Sequence, residues 1–154
     1  MTKIDYKTYQ KPSNFAKLSL GDNQILIVSD GIMCYEHGMV SGGQYIPLGT
    51  CSETIDCEQC KKGYEAKLRY KWVVYLPEIN DVRVLSVGPK TGDEICQIAI
   101  KEGVRNFELV INRSGIGKQT RYKINKVELS KIDEKTLIFI KKKKDYLYQK
   151  YLSK

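Results

Sequence analysis

Four of the five cysteines and the single histidine of this 154-residue sequence fall between residues 34 and 60: Cys34, His37, Cys51, Cys57 and Cys60. Cys57-Glu-Gln-Cys60 sets two thiols two residues apart, the spacing at which a tight turn aims both sulfurs at one ion. His37 and Cys51 upstream complete a four-donor set. A rival set replaces Cys51 with Cys34, because Cys34-Tyr-Glu-His37 makes a second two-residue knuckle of the zinc-ribbon kind. Spacing alone permits both. Thiolates and imidazole select zinc over magnesium or calcium. Four protein donors leave no open position, so the ion is expected to be structural rather than catalytic. The plainer alternative, buried free thiols, fits poorly with a polar, glycine-punctuated stretch that offers no core. Cys96 lies in an apolar helical segment and reads as an ordinary core thiol. With His37 on a metal no histidine remains for acid–base work. No carboxylate cluster or nucleophile–base pair is visible, and the expectation is a protein that is not an enzyme.

The second concentration of chemistry is basic and aromatic. Lysine and arginine number 26 against 18 acidic residues, a net charge of +8 and a pI near 9.2. Eleven tyrosines, three phenylalanines and one tryptophan accompany them. A positive surface interleaved with aromatics suits unpaired bases, which need both stacking and phosphate neutralisation. Residues 66–76 form the clearest strand. Lys67, Arg69 and Lys71 alternate onto one face at intervals of about 7 Å, while Tyr70 and Trp72 face the other way. Those two aromatics are then either core or, given a twist or bulge, binding surface. Arg121, Tyr122 and Lys123 repeat the mixture on a later strand, and Arg113 and Lys118 flank the loop before it, where small barrels often clamp a strand.

The elements that must position these residues follow from pattern. Residues 1–20 read as an extended basic arm with Tyr6, Lys7, Tyr9 and Lys11, and with Phe15–Leu18 packing on the core. Residues 24–28, 66–76 and 82–87 read as strands, Thr91 to about Ala99 as a helix ended by Gly103, and 106–113 with 119–127 as a hairpin. Between the first two strands, about residues 34–63, Gly38, Gly42, Gly43, Gly49 and Gly63 mark a metal-held insertion. Residues 131–154 read as a basic C-terminal helix with Lys141–Lys144 in one run and an apolar stripe through Leu137, Ile140, Leu147 and Leu152. The expected fold is mainly β: an oligonucleotide-binding (OB)-like small barrel over 21–130 with a zinc insertion and a terminal helix. No apolar run approaches the roughly 18 residues of a membrane span. The polar start, Met1-Thr-Lys-Ile-Asp-Tyr6, is unlike a secretory signal. An intracellular, nucleoid-associated protein with no membrane partner is the expectation, in a host cell if the chain is viral.

With these features together, the chain resembles the single-stranded-DNA-binding proteins of phages and viruses that carry a zinc insertion in an OB fold, the group of the helix-destabilising protein of T-even phages. There one histidine and three cysteines bind zinc, the last two cysteines two residues apart. His37, Cys51, Cys57 and Cys60 follow that order, so the resemblance favours Cys51 over Cys34. It extends over roughly residues 9–125, through Lys11–Leu18, Gly21–Ile25, Arg69–Trp72, Phe107–Gly115 and Thr120–Tyr122. It implies sequence-independent binding of single-stranded DNA in replication or recombination, with self-association on the strand or a homodimer, and replication proteins, as partners. An RNA-binding or transcriptional zinc-ribbon factor is the alternative. The chain departs from the group at its end: where such proteins often carry an acidic recruiting tail, this one carries Lys141–Lys144 and Lys154. That basic helix could add to DNA binding or pack on a neighbouring subunit.

Overall fold

The computed structural model describes residues 3–7, 9, 11–41, 44–103 and 107–153, and for residues 44 and 45 the backbone alone. Met1, Thr2, Gly42, Gly43, Asn106 and Lys154, named above, lie outside the described residues. The elements run β1 (Gly21–Ile27), β2 (Ile32–Ser41), β3 (Gln44–Thr50), α1 (Glu58–Lys61), β4 (Ala66–Leu76), β5 (Asp81–Val87), α2 (Pro89–Glu102), β6 (Glu108–Ser114), β7 (Arg121–Val127) and α3 (Glu134–Leu147). A π-helical turn, Tyr148–Leu152, continues α3.

The seven strands form one antiparallel sheet in the order β3-β2-β4-β1-β6-β7, with β5 on the other edge of β4. β4 is long because its apolar pattern lasts for eleven residues. Its first half pairs with β2 and its second half with β1. Both faces of the sheet centre are buried, which is why β1 reads as a continuous apolar run rather than an alternating one. Ile25 and Ile27 enter one core with Trp72, Leu85, Ile95 and Phe107, closed by α2. Leu26 and Val28 enter the other with Val73, Tyr75, Ile140 and Leu147, closed by α3. Asp133 caps α3, its carboxylate accepting from Thr136 N–H at 2.7 Å. Burial pushes the Asp81 carboxyl up, but Lys143 of α3 and Arg83 outweigh it and hold the group below its ordinary range.

The mainly β fold with a C-terminal helix is as expected, and the sheet is not closed into a barrel among the described residues. Closure would require pairing between the outer edges of β5 and β7, and none occurs among the described residues. The reason lies in the N-terminal segment. Ala16 N–H donates to Val84 C=O at 2.8 Å, and Val84 N–H donates to Asn14 C=O at 2.8 Å, a parallel bridge centred on Phe15. The β5 edge is therefore occupied by residues 14–16. The stretch expected to be a metal-held insertion is also more regular than its glycines suggest, since most of it is the β2–β3 hairpin. The hairpin register shifts after His37, and Gly49 opposite it has φ +121°, a conformation that favours glycine.

Gly92 of α2 lies against the Tyr70 ring, where a Cβ would come within 2.3 Å of Cγ. Alanine at an exposed helix glycine usually stabilises by up to about 1 kcal/mol. Here the sign reverses: Gly92→Ala should cost about 1–3 kcal/mol by overpacking, a drop in Tm of roughly 3–10 °C in thermal denaturation.

Candidate metal centre and basic groove

His37 is the last β2 residue before the register shift, paired with Ala66 on one side and Gly49 on the other. Its ring is fully buried. Nδ1 lies 2.8 Å from Tyr64 C=O. A carbonyl only accepts, so Nδ1 carries the proton and Nε2 is left with its lone pair. Nε2 faces Cys57 Sγ at 3.4 Å and Cys60 Sγ at 3.3 Å. Cys51 Sγ lies 3.8 Å from Cys57 Sγ and 3.6 Å from Cys60 Sγ. All four donor atoms fall within 4.8 Å of one another.

These separations are too long for a disulfide, which needs about 2.05 Å. They match a tetrahedron. Thiolates about 2.3 Å and an imidazole about 2.0 Å from a central ion give edges of about 3.8 Å between sulfurs and 3.5 Å between sulfur and nitrogen. The four residues could hold one metal ion. Local backbone aims the sulfurs. Cys57 caps α1, with Lys61 N–H donating to its carbonyl at 3.0 Å, and Glu53 N–H approaches Cys51 Sγ at 3.4 Å. The backbone N–H of Cys60 brings the Cys57 thiol down to about 5, while the hydrogen bond that the Cys60 thiol donates to Cys57 pushes Cys60 up to about 11. An entering cation must displace the proton held at Cys60, so affinity falls as pH falls.

Cys34 stands outside this group. A Cys-x-x-His knuckle needs a turn, but residues 34–37 are extended strand. Residues three apart on a strand point to opposite faces. Cys34 accordingly shares a face with Glu36 and sits opposite Arg69. Cys96 lies on α2 and packs against the first core, as expected of a core thiol.

The predicted nucleic-acid residues divide. Lys71 does not face solvent. It is buried and ion-paired to Glu36, also buried, because the sheet face expected to be bare carries α3 further along. Tyr70 and Trp72 are core, the Tyr70 hydroxyl donating to Asp93 at 2.6 Å. Lys67, Lys118, Arg121 and Lys123 are exposed but line no common site with the rest. Arg121 and Lys123 alternate with Tyr122 along β7 and leave the strand on the opposite face.

Arg69, Arg113 and Tyr122 do converge. With Lys17 they line a groove of about 480 Å³ in the seam between β5 and β7, and no carboxylate lines it. Arg69 is held by Ser86, its Nε donating to Oγ at 3.0 Å and an Nη to the carbonyl at 2.9 Å. Arg113 donates to Leu18 C=O at 2.8 Å. Its Nε is buried without a hydrogen-bond partner, and among the described residues it forms no ion pair. Tyr122 is 39 % exposed. Lys17 was missed as a site residue because only the β5 bridge places it at the seam. The carbonyls of Tyr64 and Leu18 were missed because a backbone group has no side-chain signature.

No family model, curated protein or solved structure matches the chain. The resemblance to phage single-stranded-DNA-binding proteins accordingly rests on the residues quoted for it. No described helix is long and apolar enough to cross a membrane.

Elemental analysis of the purified protein should find about one divalent transition-metal ion per chain. Cys60→Ser should lose it and Cys34→Ser should keep it. Retention in Cys60→Ser, or loss in Cys34→Ser, would overturn the assigned donor set.

Proposed function

We propose that this protein binds single-stranded DNA with little sequence preference, and that a structural zinc ion shapes the β2–β3 hairpin beside the binding surface. The observation that carries this reading is the seam. Three strands and the N-terminal segment contribute Arg69, Arg113, Tyr122 and Lys17 to one groove without a carboxylate. Phosphates meet cations there, and the Tyr122 ring offers a stacking face that tolerates any base. The gap is lined by β5 and β7 edges, which suits one strand threading through more than the broad face a duplex would need. Zinc is the ion that a closed set of three thiolates and an imidazole favours. With no open coordination position it orders the hairpin and does no chemistry. A binder in replication or recombination follows, and replication proteins or further copies of the chain are its natural partners. The RNA-binding zinc-ribbon alternative rested on a Cys34–His37 knuckle, and that knuckle is not formed.

The test is an anisotropy titration with labelled single-stranded DNA, the matching duplex and the matching RNA. Trp72 is a poor reporter, being buried in the core. Single strands should bind at least about tenfold more tightly than duplex. Log affinity should fall with log salt at a slope of about −2 or steeper, as three cations on a single strand require. Tyr122→Ala should weaken binding by about tenfold, the loss of one stacked base. Equal or better duplex affinity would sink the proposal, and RNA outcompeting DNA would turn it toward the alternative partner.

A further inference from the structure

A second groove, of about 760 Å³, adjoins the seam and shares Ala16 and Lys17 with it. Its other walls include Tyr9, Lys11, Phe15 and Arg83, again without a lining carboxylate. Arg83 is buried and paired with Asp81, so the positive charge this groove offers comes from Lys11 and Lys17. Both are exposed, and neither is in an ion pair among the described residues. Tyr9 is 58 % exposed and Phe15 40 %. The composition matches the seam: cations with aromatic faces between them.

The part of the platform at residues 14–16 is preformed. Residues 14–16 are tied to Val84 by two backbone hydrogen bonds. Asn14 Nδ2 donates to the Tyr151 hydroxyl at 3.0 Å. The Phe15 ring meets the Tyr151 ring edge-on, with centroids 4.9 Å apart and planes at 63°. Binding a strand on a fixed surface avoids the ordering entropy that a loose arm would lose.

We infer that the bound single strand leaves the seam across Lys17 and continues over Phe15, Lys11 and Tyr9. Lys11 and Lys17 neutralise separate phosphates there, and Tyr9 and Phe15 present faces to the bases. This rests on the reading of the seam as a single-strand site and adds that site's extent and direction. The N-terminal segment then does two jobs. It holds the β5 edge away from β7, and it carries the strand onward from the gap it keeps open.

The test uses the full chain with oligothymidylates of about 5 and about 12 nucleotides, within the range of site sizes known for small binding barrels. The double variant Tyr9→Ala/Lys11→Gln changes only exposed side chains and should melt like its parent. It should lose about tenfold in affinity for the longer oligomer, leave the shorter unchanged, and flatten the salt slope on the longer by about 0.7. Tyr122→Ala should weaken both lengths. If the double variant matches its parent on both lengths, or loses equally on both, while Tyr122→Ala still weakens binding, the extension is overturned and the seam site stands. If neither variant alters either length, both readings fall.

Discussion

Val84 presents one N–H and one C=O at the outer edge of β5, and the way these two groups are satisfied decides the rest of the molecule. A sheet edge left bare is a template for another strand. Pairing with β7 would close the sheet and bury the seam. Pairing with residues 14–16 leaves β7 free and puts Lys17 and the Leu18 carbonyl at the mouth of the gap. The Leu18 carbonyl then receives the Arg113 guanidinium, and Ser86 at the end of β5 receives Arg69. Arg113 is thus oriented by backbone that follows the segment tied to the β5 edge, and Arg69 by β5 itself, which β4 holds from its other side.

The second organising fact is that β4 serves two cores. Its alternation was legible: Leu68, Tyr70, Trp72 and Val74 do share the face that packs under α2. The opposite face was legible only as far as the lysines reach. Lys67 and Arg69 stay partly open, but Val73 and Tyr75 on the same face are buried under α3. Period-2 patterning reports one apolar face. It does not report a second cover that arrives sixty residues later in the chain, nor the buried ion pair that Lys71 makes with Glu36 on that same face. The four-donor cluster was legible for the converse reason. Two-residue thiol spacing is a local signal that the turn at Cys57–Cys60 satisfies without help. The choice between Cys51 and Cys34 is set by strand parity, which appears only once residues 32–41 are known to be one strand. The open seam was not legible at all, since nothing in residues 14–16 distinguishes a strand partner from an arm.

Net charge was the least specific signal. The surplus of +8 is spread over α3, the β6–β7 loop and the N-terminal segment. Several of the chain's cations are already spent. Lys143 holds Asp81, Lys126 lies 2.8 Å from Glu102, and Lys144 lies 2.9 Å from Asp145. What separates Arg69, Arg113 and Lys17 from the rest is convergence without a lining carboxylate. Convergence is a property of topology, because these residues come from β4, β6 and the N-terminal segment. A count of lysines therefore favoured a polyanion partner, but only the fold nominates where one would lie.

The buried Lys71–Glu36 pair links that fold to the metal centre. Taking two charges out of water is expensive, and such a pair is weak evidence of added stability. Its consequence is registry. Glu36 and His37 are neighbours on β2 and point to opposite faces. Lys71 holds Glu36 on the α3 side, which sends His37 to the side where Tyr64 C=O and the three thiols meet it. A slip of one residue between β2 and β4 would flip every side chain on the hairpin. Glu36 would then face the thiols, and Lys71 would be left as an unpaired buried cation. The penalty for that state is larger than anything the pair contributes in the correct one. A hairpin with little hydrophobic core of its own is thereby held in one register from both faces, by an ion pair on one and a four-donor cluster on the other.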